Sequence, residues 1–424
     1  MGRRNLQARR NLIGRTLFAV AALLTEGCAA TVGAQQGSRS AAVPAVITLR
    51  ADALALAKSE LLDRDRRRPL SPALSRLLRD ADSALQAPLV AVTDKKSLLP
   101  PSGNSHDYFS LSPYWWPDPS KMNGLPYIRR DGETNPESKR DLDQPRIAML
   151  GSSVQALALA YYFTGDEKYA ARAATQLRRW FLDPGTRMTP HLRYAQLVRG
   201  IDEERGSGII DTRWFIETVD AAGLLQGSRH WTPADQQALR TWFRSYLDWL
   251  LTSPNGQHEH AAKNNHGSWF AAQTATYAMF VGDTALARRI LEETKPRIGW
   301  QIKSDGTQPI ELERTRSMHY SGFNIEALSR VAEVGRLLGV DLWNYQAPEG
   351  GSLRRAIDNM AKYIGTGEKW PGQQIDAVDP DLLIVHFRRA ETVWNDPSYE
   401  AVLKRLPPGV LRENRSALLY SPAK

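Results

Sequence analysis

A single cysteine, Cys28, is present in 424 residues. That scarcity excludes an internal disulfide framework and a zinc site built from thiolates, and it restricts cysteine nucleophiles to one position near the N-terminus. Long apolar runs are also scarce. The stretch from Thr16 to Leu24 is too short to span a bilayer, and no other segment reads as a transmembrane span. Histidines at the four-residue spacing that puts two ligands on one side of a helix are missing too. His258 and His260 would face different sides, so neither a metal nor any other cofactor is expected. The chain contains no recognisable nucleic-acid module, although its formal charge of +9 suits polyanions in general.

The features that are present begin at the N-terminus. Arginines at 3, 4, 9, 10 and 15, the apolar run to Leu24 and the small residues Val32-Gly33-Ala34 read as an export signal over residues 1–34, which implies a periplasmic or secreted protein. Ala8-Arg9-Arg10-Asn11-Leu12-Ile13 has the look of a twin-arginine signal. Cys28 follows Thr25-Glu26-Gly27, a poor lipoprotein match, so no lipid anchor is expected there. Five arginines and one glutamate leave with the signal, and the remaining charge of +5 is mildly basic. Residues 35–46, rich in Gly, Ser and Ala, read as a flexible leader.

From Ile47 onward the pattern is almost entirely helical, and 42% hydrophobic residues are enough for a sizeable core. Leu150, Val154, Leu157, Ala158 and Tyr161 follow helical spacing up to a turn at Gly165-Asp166, after which Tyr169, Ala173, Leu177 and Trp180 mark the next helix. The same unit of helix, turn and helix recurs with turns near Ser228 to Thr232, at Gly282-Asp283 and near Gly339 to Asp341. Thr232-Pro233-Ala234-Asp235 offers a capping Thr, a Pro at the first helical position and an acid three residues after the cap. With Ile47 to Leu62, Ser71 to Gln86 and two weaker C-terminal helices, about twelve helices are predicted. Such a count makes the protein all-α, an α/α toroid of about six hairpins over residues 47–424. Residues 93–145 break the pattern; they are rich in Pro, Gly, Asp and Trp and read as a long loop lining or covering the cleft.

Three segments concentrate polar chemistry. They are Gln257 to Trp269 with His258-Glu259-His260 and Asn264-Asn265-His266, then Glu311 to Tyr320, and in the long loop Asn104 to Tyr108 with Ser112 to Pro119. The Asn264-Asn265-His266 triplet, followed some fifty residues later by Glu-Leu-x-Arg and then His319-Tyr320, resembles the alginate lyase superfamily, in particular polysaccharide lyase families 5 and 38. Tyr114-Trp115-Trp116-Pro117-Asp118-Pro119 brings it closer to family 38, and the resemblance covers roughly residues 90–365.

That resemblance implies cleavage of a uronate-containing polysaccharide by β-elimination, on alginate, polymannuronate or glucuronan. Removing the C5 proton is difficult beside a charged carboxylate, so Asn265, His266 and Arg314 are expected to neutralise that group. Tyr320 is the expected proton carrier, with Arg314 or Arg316 lowering its pKa. His106, Tyr108, Tyr114, Trp115, Trp116, Glu259, Asn264, Arg316 and His319 are the further residues expected at the substrate. Glu259 stands seven residues before His266, two helical turns, and is expected to share its face and tune its charge. The rival readings are a glycoside hydrolase drawing on Glu259, Glu311, Glu313 and Asp376, or a non-catalytic polysaccharide-binding protein.

Overall fold

The computed structural model describes residues 44–63, 65–201 and 205–420, so the expected export signal and nearly all of the expected leader lie outside the described residues. Helix α1 (Ala51–Leu62) starts four residues later than the sequence pattern suggests. The backbone N–H groups of Ile47 and Thr48 donate to the buried Asp220 carboxylate at 2.6 and 3.1 Å, which holds the chain in a bend before the helix. Helix α2 (Arg67–Gln86) conversely starts before Ser71-Pro72, and the Ser71 hydroxyl donates to the Arg67 carbonyl within its first turn.

The predicted turns appear where their residues demand them. Gly165 adopts φ +73° between α3 (Asp143–Thr164) and α4 (Glu167–Leu177), a conformation that costs glycine little. Between α5 (Phe215–Leu224) and α6 (Pro233–Thr252), Thr232 and Asp235 exchange side-chain and backbone hydrogen bonds as a complete capping box. A short α7 (Pro254–Ala261) leads into α8 (Asn265–Phe280), which the Gly282-Asp283 turn joins to α9 (Thr284–Gln301). Helices α10 (Pro309–Leu312) and α11 (Ser317–Leu338) follow, and Gly339 ends α11 at φ +70°. The hairpin expected at Gly339 to Asp341 is not tight: the next helix, α12 (Leu353–Ala361), begins only after an irregular connection. The C-terminal part adds α13 (Pro380–Trp394), α14 (Ser398–Leu403), α15 (Pro408–Glu413) and α16 (Ser416–Leu419), more pieces than the two helices expected. Twelve of these sixteen helices have eight or more residues.

The helices pack in two layers. α3 touches α5, α5 touches α8, α8 touches α11 and α11 touches α13, and α16 closes the ring by meeting α13, α1 and α2, the last of which packs on α3. α4, α6, α9 and α12 lie outside this series, each packed on an inner neighbour. Within this series α5 and α8 are buried almost all round, as enclosed helices are, and nearly every one of their residues is inaccessible. Among the described residues α3 alone is long and apolar enough to cross a membrane, a feature the sequence reading passed over; more than half of its apolar window is buried against other helices. The arrangement is an α/α toroid.

The long loop is not wholly without regular structure. β1 (Phe109–Leu111) pairs in parallel with β4 (Tyr194–Leu197). β2 (Trp115–Trp116) pairs antiparallel with β3 (Ile128–Arg129), with Trp115 opposite Arg129. The buried ion pair of Lys95 with Asp143, 2.8 Å, ties the loop to the start of α3.

Candidate active site

A cleft of about 520 Å³ opens between the long loop and the inner helices. Its walls include Ser112 to Trp115 of the loop, Asn264 to His266 where α7 meets α8, and Arg314 to Tyr320 where α10 meets α11.

The junction of α7 and α8 is held from below. The first N–H groups of a helix have no partner within it, and here Asn264 caps α8 by accepting from the His266 N–H at 3.2 Å. The Asn265 N–H instead donates to Glu311 Oε1 at 2.6 Å, and the Asn265 amide Nδ2 donates to Glu311 Oε2 at 2.8 Å. Burial pushes the Glu311 carboxyl up, against these two hydrogen bonds that favour its charge. His266 Nδ1 lies 2.7 Å from Glu259 Oε1. Burial works against the imidazolium, but the Glu259 charge and its hydrogen bond prevail, so the His266 pKa is raised and the ring is biased toward the cation. Gly267 follows because a Cβ there would come within 2.2 Å of the Ala262 carbonyl.

The junction of α10 and α11 presents Tyr320 beside Arg314. The guanidinium carbon lies 3.7 Å from the Tyr320 ring centroid. Arg314 is fixed by Asp131, to which Nε and Nη2 donate at 3.0 and 2.7 Å. Despite burial, those bonds and one from the Thr315 N–H hold the Asp131 carboxyl well below its ordinary range. Arg316, which also lines the cleft, pairs with Asp376 at 3.2 Å. The Tyr320 hydroxyl donates to the Tyr114 hydroxyl at 2.6 Å. Arg314 does favour the phenolate, as expected from sequence, yet burial and the neighbouring Tyr114 outweigh it and raise the Tyr320 pKa well above 10. Without substrate Tyr320 is therefore a neutral phenol. His319, stacked on Phe323 at 5.9 Å between ring centroids, is pulled down to about 4 by burial and by Arg316 and Arg213, so it is neutral too.

Of the residues singled out in the sequence, the structure brings Tyr114, Trp115, Glu259, Asn264, Asn265, His266, Arg314, Arg316, His319 and Tyr320 to the cleft. It places three others away from it. Tyr108 is fully buried, and its hydroxyl donates to Asp211 at 3.0 Å. His106 is engaged with the Arg187 carbonyl at 2.7 Å. Trp116 donates from its indole nitrogen to the Glu133 carbonyl at 3.0 Å and carries the Arg130 guanidinium over its ring, so it pins the β2–β3 hairpin. Glu259 does reach His266, though not along one helix face: the two residues belong to α7 and α8, and the chain folds back between them. It is 1% exposed and presents its carboxylate to the histidine.

Sequence reasoning missed Asp131 as the anchor of Arg314, and Arg213, which also lines the cleft. Only the Asp131-Gly132 pair hinted at a turn; Gly132 adopts φ +79°, and a Cβ there would meet the Thr315 hydroxyl at 2.4 Å. The acids considered for a hydrolase are occupied: Glu259 by His266, Glu311 by Asn265 and Asp376 by Arg316, while Glu313 is not at the cleft. Among the described residues no cluster of metal-ligating side chains occurs.

A protein-family model described as alginate lyase matches residues 91–370. Among solved structures, an alginate lyase from Bacteroides ovatus is 38% identical, with a TM-score of 0.84 over 89% of this chain and all of the other. Alginate lyase A1-III of Sphingomonas species A1, as a His-to-Ala variant complexed with a tetrasaccharide, is 15% identical with a TM-score of 0.54 over 83% of this chain and 96% of the other, a likeness of fold. No curated protein matches the chain. A family match spanning the cleft segments, joined to a relative aligned over nearly the whole toroid, establishes that this chain belongs to the alginate lyase family and is a polysaccharide lyase.

Proposed function

We propose that the enzyme cleaves mannuronate-rich alginate or glucuronan by syn β-elimination, with Tyr320 carrying the proton and Asn265, His266 and Arg314 neutralising the C5 carboxylate. The observation that carries this reading is the meeting of the Tyr320 hydroxyl, the Arg314 guanidinium and the Asn265-His266 pair in one cleft. His266, biased toward the cation by Glu259, is better suited to stabilising negative charge than to removing a proton. Asp131 occupies Nε and Nη2 of Arg314 and leaves Nη1 for a carboxylate oxygen.

In the chemical step the C5–H bond breaks and its proton passes to the Tyr320 oxygen. The phenol's own proton goes to O4, directly or across the Tyr114 hydroxyl, as the C4–O4 bond breaks and a C4–C5 double bond forms. The neutral state of Tyr320 suits donation to O4, and giving up one proton while accepting another avoids a free phenolate in a buried site. Both atoms must lie on one side of the sugar ring, which holds for β-D-mannuronate and β-D-glucuronate, whereas in α-L-guluronate C5 is inverted. The N-terminal signal supports a periplasmic or secreted enzyme that meets its polymer outside the cytoplasm.

The test is the ultraviolet absorbance of products from alginate, polymannuronate, polyguluronate and glucuronan, because elimination leaves a conjugated double bond and hydrolysis does not. Polymannuronate or glucuronan should be cleaved fastest. A preference for polyguluronate would overturn the single-tyrosine step, and the absence of unsaturated product from all four would overturn the reading itself.

A further inference from the structure

The cleft holds more positive charge than the chemical step requires. Arg213, at the end of the 3-10 segment that leads into α5, lines it together with Lys139 from the end of the long loop. A guanidinium carries five N–H donors. Arg213 places one of them on the Ile210 carbonyl at 3.2 Å and rests its plane near the rings of Trp214 and Phe323, at 5.0 and 5.4 Å from the guanidinium carbon. Among the described residues no carboxylate lies within ion-pair distance of it. Its chain neighbour Asp211 has both oxygens occupied, Oδ1 by Gln196 at 2.8 Å and Oδ2 by Ser110 at 2.7 Å and Tyr108 at 3.0 Å. Glu217, the other nearby acid, pairs with Arg330 at 2.8 Å. Among the described residues Lys139 has no ion pair either; its ammonium donates to Gln144, another cleft residue, at 2.6 Å.

Two cations facing one cleft repel each other, and desolvating a charge without a partner is costly. Burial draws Arg213 below its ordinary pKa value, and for Lys139, exposed as a residue, the partial desolvation of its ammonium in the cleft and the nearby Arg213 charge act in the same direction. The remaining cleft arginines of the α10–α11 junction are already committed, Arg314 to Asp131 and Arg316 to Asp376. What Arg213 lacks is a carboxylate in direct contact, since Asp211 and Glu217 favour its charge only from beyond ion-pair distance, and a polyuronate brings one carboxylate on every sugar.

We infer that Arg213 and Lys139 form a second carboxylate-binding station in the cleft, receiving the uronate that adjoins the reacting one. This rests on the proposed polyuronate substrate. The station acts in binding: it holds a sugar whose bonds do not change, so it contributes equally before and during the reaction and is read in KM. It also makes the enzyme selective for chains charged at consecutive sugars, since an adjoining neutral sugar leaves the two cations unmatched.

The experiment compares wild type, Arg213→Gln, Arg213→Lys and Lys139→Gln on polymannuronate and on its fully methyl-esterified form. On the free acid, Arg213→Gln should raise KM by about tenfold with kcat within about threefold, Arg213→Lys should recover part of that loss, and Lys139→Gln should raise KM by about threefold. On the ester the variants should converge with wild type. Unchanged KM in both Gln variants overturns the station, and so does a loss carried wholly by kcat. Lys139 is exposed, so Lys139→Gln decides the matter should Arg213→Gln fail to fold. A wild-type enzyme that forms no unsaturated product from the free acid would instead be a failure of the functional reading.

Discussion

Two histidines in this molecule each stand beside a glutamate in a desolvated setting, and their charges go opposite ways. In the cleft, Glu259 lies 2.7 Å from His266 and raises its pKa. In the core, Glu326 lies 3.7 Å from His386, yet burial takes that histidine down to about 4. The difference is in the glutamate's other partners. Glu326 already receives Arg389 at 2.8 Å and Arg330 at 2.7 Å, and although its charge still favours the imidazolium, burial outweighs it and Arg389 itself opposes a third cation. Glu259 has His266 as its close charged partner. The core closes its electrostatics on itself, whereas the cleft leaves cationic capacity turned outward.

The largest effect should come from breaking the closed set. Arg389 joins Glu326 on α11 to Tyr420 near the C-terminus, with Nη2 2.8 Å from the tyrosine hydroxyl. Removing one member leaves the others buried and uncompensated, so Arg389→Met should cost about 3–5 kcal/mol of stability. A fall in the midpoint of urea unfolding would show it, with kcat per folded molecule within about twofold of wild type. A collapse of kcat in the folded variant would mean that the core set serves the chemistry and that the two regions are not separate.

Next comes Tyr320→Phe, which leaves the ring under Arg314 and removes only the hydroxyl. Turnover should drop by a factor on the order of a hundred or more, with thermal unfolding nearly unchanged. Activity within a few-fold of wild type would take Tyr320 out of the reaction. Tyr114→Phe should cost less, because in the proposed step it removes a relay and leaves the proton carrier.

How much of this contrast the sequence disclosed depends on the range of each interaction. Gly165, the Thr232–Asp235 box and Gly282 act within four residues of their own helix ends, so the hairpins and the toroid were legible. Tyr320 and the Asn265-His266 pair were legible because they sit in short ordered motifs. Asp131 was not, since it meets Arg314 across 183 residues and nothing local marks the partnership. For the same reason α1 was started too early: Asp220 holds Ile47 and Thr48 from a distant helix. Aromatic residues misled in the loop, where Tyr108 and Trp116 had the composition of a sugar platform and turned out to brace the loop itself.

A smaller effect sharpens the cleft half of the comparison. With the His266 pKa raised, the imidazolium persists above its ordinary 6.5, and the carboxylate neutralisation proposed for it should fade as pH rises through the folded value. Glu259→Gln keeps a hydrogen bond but loses the charge, so the alkaline limb of kcat/KM should move to lower pH by about one unit. Following the His266 ring protons by NMR would check the assignment. An unmoved limb and an unmoved titration would show that Glu259 orients the ring without tuning it.

The smallest effect belongs to His386 and runs in the opposite direction. In the fold this histidine stays neutral down to about pH 4, while in the unfolded chain it takes up its proton near 6.5. Below 6.5 the unfolded state therefore binds more protons than the native one, so the histidine's contribution costs the fold stability progressively between pH 6.5 and about 4 and levels off below that. At pH 5.5 the cost should be roughly 1 kcal/mol, an order-of-magnitude figure from the size of the shift. Carboxylates such as Asp143, raised to about 6 by burial against the pull of Lys95, titrate in the same range, so the wild-type curve alone cannot isolate the histidine. The difference between wild type and His386→Gln does so: urea-derived stabilities should diverge in favour of the variant as pH falls from 7 to 5. Parallel curves would mean that His386 is protonated in the fold after all. In that case Glu326 would keep enough free charge for a third cation, and the distinction between the closed core and the open cleft would fail at the residue where it is sharpest.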